Sequence, residues 1–214
     1  MKSNPRFSRL SLSLFAAAAV IAVAAPVAAN YGGAQGTVFA LTNDLSGNQV
    51  IAFDRSADGS LGARRAYSTR GTGTGGGLGN QGALAFSDSG QWLLAVNPGS
   101  DSISVFLNFG GRLFRTDTEA SGGVRPVSVT IEDDIVYVLN AGSDNLQGFR
   151  LSIYGTLTPI SGSRRALSAS GTAPAQVEFN RDGDLLAVTE KATNRVLTCA
   201  VNCGVRKRQR ERPG

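Results

Sequence analysis

One phrase recurs along the chain, and it constrains the fold more than any other feature. Trp92 to Phe106 reads WLLAVNPGSDSISVF. A short apolar run ends in Asn97, a turn of Pro98, Gly99, Ser100 and Asp101 follows, and an alternating run comes back. Strand, tight turn and strand make a hairpin, because Pro, Gly, Ser and Asp adopt bends that β-branched residues resist. Val136–Phe149, Phe39–Phe53 and Leu185–Cys199 repeat the pattern. The marker residues Asn43, Asn97, Asn140 and Glu190 stand 54, 43 and 50 residues apart, which is the chain length that one four-stranded propeller blade requires.

The strands between the markers fall into units. Val38–Leu41, Gln49–Phe53 and Arg64–Tyr67 form the first, with Asp58-Gly59-Ser60-Leu61 as a turn. Ala83–Phe86, Trp92–Val96, Ile103–Leu107 and Leu113–Thr118 give the second. Val127–Ile131, Ile135–Leu139, Leu146–Leu151 and Leu157–Ile160 give the third. The fourth comprises Gln176–Phe179, Leu185–Thr189 and Arg195–Val201. Successive four-stranded meanders are the propeller pattern, and a sandwich would not require so regular an order. The expected fold is all-β: an incomplete β-propeller of four-stranded antiparallel blades, about three and a half of them, over residues 30–203.

Both ends of the chain differ from its body. Residues 1–29 carry a basic start, an apolar alanine-rich core and Val27-Ala28-Ala29, with small residues at −3 and −1 before Asn30. These are the marks of a cleaved secretory signal, so a periplasmic or secreted protein without stable membrane anchoring is expected; the alternative is an uncleaved anchor. Beyond Val201 the repeat fails. Residues 204–214 form a basic tail with no alternation, expected to be disordered. The break suggests an array cut short, as a reading-frame change would produce, with a natural basic tail as the alternative. An interrupted array leaves a strand edge uncovered, and self-association through that edge is expected.

Charge and composition exclude several functions. The net charge is +5, yet the first 29 residues supply +3 and the tail +4, leaving the body at −2. A nucleic-acid binder carries its basic residues on the folded domain, so nucleic acid is not an expected partner. The chain has no histidine, which removes the commonest general base and metal ligand. Cys199 and Cys203 are four apart; export would permit a disulfide, but two thiolates without histidine make a poor zinc site. No metal and no cofactor is expected. Gly71–Gly82, GTGTGGGLGNQG, lacks both the Gly-Lys-Ser/Thr ending and the following helix of a phosphate-binding loop. It is expected to be a connecting loop, one that covers a mouth of the fold.

The phrases LLAVNPGSDSISVF, VYVLNAGSDNLQGFRL and FNRDGDLLAVTEKATNRV, with the turn at Asp58-Gly59-Ser60-Leu61, resemble the seven-bladed β-propeller lactonase family, which includes 6-phosphogluconolactonase and the fungal carboxymuconate-cyclising enzyme. The resemblance covers residues 36–201. It implies hydrolysis or formation of a lactone of a small carboxylated substrate. The family's site phrase is Pro-Arg-His at a blade start and Asn-Glu at the end of the next strand. Here these read Pro174-Ala175-Gln176 and Glu190-Lys191, without the arginine and histidine and with the carboxylate displaced by one position. By resemblance, Glu190 becomes the candidate acid/base. Arg125, Gln176, Lys191 and Arg195 become candidate substrate-binding residues, the cations as clamps for an anion. The alternatives are a solvated loop charge for Arg125, a surface pair for Glu190 and Lys191, and turn capping for the recurrent asparagines. For the whole chain, they are a non-catalytic propeller that binds a ligand or protein, or an inactive truncated remnant.

Overall fold

The computed structural model describes residues 36–201. The expected signal, residues 1–29, and the basic tail, residues 204–214, lie outside the described residues. Within them the chain forms β-strands that pair antiparallel. The first sheet has the order β1 (Gly36–Leu41), β2 (Gln49–Arg55), β3 (Leu61–Ser68). The second runs β4 (Leu84–Phe86), β5 (Trp92–Asn97), β6 (Ser102–Phe109), β7 (Arg112–Ala120). The third runs β8 (Pro126–Glu132), β9 (Ile135–Asn140), β10 (Asn145–Leu151), β11 (Leu157–Pro159), with β12 (Arg165–Ala166) also on β10. The fourth is β13 (Pro174–Phe179), β14 (Leu185–Glu190), β15 (Arg195–Ala200). Each sheet is a meander with neighbours in chain order, as in the blades of an incomplete propeller.

Alternation explains the apolar runs. Leu93 and Ala95 of β5 pack with Val50 of the first sheet, while Leu94 and Val96 pack with Val129, Val138 and Phe149 of the third. Successive strand residues face opposite sides, so a blade covered on both sides needs apolar residues without a polar break. The next interface repeats the arrangement, with Tyr137, Leu139 and Leu146 against Val177, Leu186 and Val188. Each fully buried side chain of this size contributes about 1.5–3 kcal/mol.

The third blade departs from the expected single fourth strand at Leu157–Ile160. Its outer edge is shared by β11, on the Phe149–Leu151 end of β10, and β12, on Asn145 and Leu146. Between them Ser163 fills the ladder. Its hydroxyl oxygen accepts from Gly148 N at 3.0 Å and Gln147 Nε2 at 2.8 Å. A Cβ on Gly148 would come within about 3.0 Å of Ser163 and 3.1 Å of Tyr137, so the glycine makes room for the bridge.

The first strands of the third and fourth blades share another device. β8 and β13 both begin with proline, which lacks the N–H an interior strand position would need. Each pairs its proline with the marker residue of the next strand, Pro126 with Asn140 and Pro174 with Glu190. The register then shifts by one residue in a bulge, at Val127 and Ala175 respectively.

Candidate functional site

Strand starts, marker residues and connecting loops converge at one end of the blades. The sequence suggests that the asparagines cap their own turns; the structure gives them longer reach. Asn97 is buried, donates to Ser104 Oγ at 2.9 Å, and accepts from Asn48 Nδ2 of the first blade at 3.0 Å. Asn43 reaches the glycine-rich connection: its Nδ2 donates to Gly76 O at 2.6 Å, and its Oδ1 accepts from Thr74 N at 2.9 Å. Buried Asn140 donates to Ser121 O at 3.1 Å. The markers join blades and loops as well as ending strands.

The Asp of each Gly-Ser-Asp turn was not singled out by sequence reasoning. Asp101 and Asp144 hold φ of 52° and 45°, a left-handed conformation that Asp tolerates better than most residues. From there each carboxylate reaches the connection into the next blade. Asp101 Oδ1 accepts from Arg125 N at 2.7 Å. Asp144 accepts from Gly171 N at 2.7 Å, Thr172 N at 3.0 Å and Thr172 Oγ1 at 2.5 Å. Burial alone would raise the Asp144 pKa, but the Thr172 hydroxyl and the two amides outweigh it and hold the carboxyl below the usual range. Asp144→Ala is expected to cost about 1–2 kcal/mol by leaving these donors without their acceptor, measurable by urea denaturation. The signal for this role was in the sequence: the Gly-Ser-Asp triplet occurs twice at the same place in the repeat.

Glu190, the expected acid/base, takes the repeat position of Asn140 and is 2% exposed. Its oxygens accept from Ser168 N at 3.0 Å, Ser168 Oγ at 2.5 Å and Thr193 Oγ1 at 2.6 Å. Desolvation pushes its pKa up, but the Ser168 and Thr193 hydroxyls, the Ser168 amide and the charge of Arg195 more than reverse this. The pKa lies below the ordinary glutamate value. A carboxylate so enclosed is an anchor between the third and fourth blades, and the surface pair with Lys191 does not form: only Lys191 is exposed.

The substrate-binding candidates divide by position. Gln176, Lys191 and Arg195 share the marker end of the fourth blade, where Gln176 pairs with Thr189 and Arg195 with Glu190. Arg125 stands one blade away, in the connection before β8, with φ of 55° and an exposed side chain. Lys191 Nζ donates to Gly79 O at 2.5 Å, so the glycine-rich loop does run over this end of the fold, as expected. Gln81 N donates to Ala175 O at 3.1 Å, and Asn80 Nδ2 donates to Val127 O. The two bulged residues thus turn their carbonyls to the loop.

Two clefts adjoin at Gly82 and Leu84. One, of about 450 Å³, is lined by Leu41, Asn43, Gly76, Leu78 and Asn80. The other, of about 440 Å³, runs between β4, β8 and β13, past Thr130, Glu132, Glu178 and Arg181. Glu178 was missed by the sequence reading, because an alternating strand gives no sign of which blade face stays open. Its side chain is exposed to the cleft, with Thr130 Oγ1 at 3.3 Å and Gln176 Nε2 at 3.5 Å. It is an accessible carboxylate with the Thr130 hydroxyl and the Gln176 amide beside it, and Asp88 and Glu132 line the same cleft.

Comparison with known proteins supports the same architecture. The family model of the seven-bladed β-propeller lactonases matches residues 27–166, ending before β13. Gln176, Glu190, Lys191 and Arg195 therefore lie outside the matched stretch. No curated protein matches the sequence. Among solved structures, the periplasmic gluconolactonase PpgL of Pseudomonas aeruginosa superposes with a TM-score of 0.61 at 17% identity, over 79% of this chain and 51% of that one. A candidate 6-phosphogluconolactonase of Bacteroides fragilis gives 0.56 at 18%, over 78% and 55%. A protein from Lactobacillus plantarum gives 0.57 at 16%, over 78% and 53%. The chain spans about half the length of these structures, and at such identities the likeness speaks for the fold alone. With the family model covering more than half of the sequence, the chain belongs to the seven-bladed β-propeller lactonase family.

Proposed function

We propose that this protein hydrolyses, or forms, the lactone of a small carboxylated substrate in the cleft between β4, β8 and β13. The observation that carries the reading is Glu178, an accessible carboxylate on the wall of that cleft in a chain of this family. In this role Glu178 takes a proton from the water that attacks the lactone carbonyl, and returns it to the ring oxygen as the C–O bond breaks. Glu190, with its donors already supplied, holds the fourth blade in place. Arg181, the cation that lines the same cleft, holds the substrate's carboxylate; Arg125, Lys191 and Arg195 stand toward the marker end and are not among the residues lining this cleft.

The test is proton release from D-glucono-δ-lactone and its 6-phosphate, measured against spontaneous hydrolysis. Catalysed opening is expected, and Glu178→Gln is expected to lower kcat by about 10²–10⁴-fold, the usual range for losing a general base. Unaltered kcat in that variant would remove Glu178 from the mechanism. A second reading is a non-catalytic ligand-binding propeller, favoured by the residues at Pro174-Ala175-Gln176, where the family's Arg-His pair is absent. It expects calorimetric binding of gluconate without any catalysed proton release. For location, the proposal is export. It is supported by the basic start, apolar core and small residues of 1–29, and fractionation of expressing cells tests it.

A further inference from the structure

The outer edges of the four blades are not alike. β3 closes the first blade with Arg64 and Arg65 on it, and its ladder with β2 is bulged, the register shifting between Phe53 and Arg55. β7 closes the second with Arg112, Arg115, Asp117 and Glu119, and its register shifts between Val105 and Phe106. The third edge is broken into β11 and β12, of three and two residues. Charge, bulges and shortness are the means by which an exposed edge resists pairing with another chain. β15 has none of them between Val196 and Ala200. It runs for six residues, pairs with β14 without a register shift, and carries its one charge, Arg195, at its first position.

The backbone of β15 is open as well. Val201 N donates to Asp184 O at 2.9 Å, as Asn108 N does to Gln91 O in the second blade and Leu151 N to Asp134 O in the third. Backbone groups alternate sides along an antiparallel strand, so the N–H and C=O of Val196, Thr198 and Ala200 point away from β14. The equivalent residues of the second blade, Ile103, Val105 and Leu107, lie in the ladder with β7. Among the described residues, β15 has β14 as its sole strand neighbour. Val196 is 66% exposed, and Thr198 and Ala200 are exposed beside Leu185 and Ala187 of β14.

We propose that β15 is the seam of a two-fold dimer, in which the β15 strands of two copies pair antiparallel about Thr198. Two residues exchange both hydrogen bonds only where each turns its backbone toward the other. Centring the pair on Thr198 meets this condition at every outward residue: Thr198 opposes Thr198, and Val196 opposes Ala200 on either side. About six backbone hydrogen bonds form. Between them Leu197 opposes Cys199. Each Arg195 faces Val201, at opposite ends of the seam, so no like charges meet. Pairs of threonines, and of valine with alanine, suit facing positions in a sheet. The second copy is the partner that fits, because the strand is uncharged and small or apolar on both sides of Thr198 and so complements itself. Such a contact closes at two copies and joins the fourth blades into one six-stranded sheet. The seam lies two strands from β13 and its Glu178, and lactone chemistry plays no part in it.

The mass of the full chain in solution tests the seam, by sedimentation equilibrium across about 1–100 μM, where a small interface associates. The wild type is expected to pass from one chain mass to two as concentration rises. Thr198→Lys and Thr198→Glu each set like charges opposite one another across the two-fold. Each alone is expected to raise the dimer Kd about five-fold or more. An equimolar mixture of the two sets opposite charges across the seam, and is expected to return to within about two-fold of the wild type. Thr198→Val, uncharged and β-branched, is expected to keep Kd within about two-fold. The Thr198 side chain is exposed in the single chain, so an unchanged melting temperature at monomeric concentration is expected for every variant and separates lost pairing from lost folding. A wild type of one chain mass throughout would overturn the dimer and would mean that the chain covers β15 itself. Assemblies that grow past two copies would overturn the two-fold seam. An unchanged Kd in both charged variants, or a mixture no tighter than its components, would overturn the pairing about Thr198.

Discussion

Glu190→Gln is expected to destabilise the protein by about 2–4 kcal/mol although the two side chains have almost the same shape. Three donors converge on the carboxylate: the Ser168 amide, the Ser168 hydroxyl and the Thr193 hydroxyl. A carboxylate accepts on both oxygens, whereas an amide turns one side into a donor that would face donors. Near full burial there is no water to take up the mismatch. Melting temperature measures the cost, with a fall of roughly 5–15 °C expected for a domain of this size.

The pH dependence of that difference separates charge from shape. The folded pKa of Glu190 lies below its ordinary value of 4.5. Its contribution is therefore fully present above about pH 4.5, and is lost as pH falls through the folded value. Denaturation of the wild type and Glu190→Gln at pH 7 should show the full gap, and the gap should narrow as the pH is taken down toward 3. A gap that stays constant over that range would show that packing rather than charge decides the outcome.

Gly73→Ala is expected to cost about 2–3 kcal/mol, the cost of forcing atoms into a closely packed place. Gly73 lies against the backbone of Asn43, and a Cβ on neighbouring Gly99 would in turn meet the Gly73 carbonyl. A methyl group there has backbone on its far side, and backbone cannot rotate away as a side chain does. Gly76→Ala, in the open middle of the same segment, is expected to change stability by less than about 0.5 kcal/mol. Urea midpoints of the two variants measured side by side provide the check. Equal losses would mean that the segment is gripped uniformly, against the contacts at Gly71, Gly73 and Gly82.

The sequence by itself determined the blades. The runs Leu93–Val96 and Val136–Leu139 are apolar at every position because both faces of their strands are buried, one against each neighbouring blade. Turn residues between them marked the hairpins, and the repeat spacing marked the number of strands per blade. These are local properties, carried by period and by backbone preference, so they are legible along one dimension. The fourth strand of the third blade was only half legible, because the split between β11 and β12 depends on a distant fit, Ser163 into the space left by Gly148.

Tertiary structure decided the roles of individual side chains. Glu190 and Lys191 are adjacent in sequence and opposite in fate, one enclosed by Ser168 and Thr193, the other exposed and drawn to Gly79. Asp101 and Asp144 were turn residues in the sequence and became links between blades. Glu178 was an unremarked strand position until β4, β8 and β13 left a cleft beside it. In each case the deciding partner lies a loop or a blade away. A sequence shows which groups a chain carries, but solvation, charge and hydrogen bonding depend on what the fold brings within about 3 Å of them.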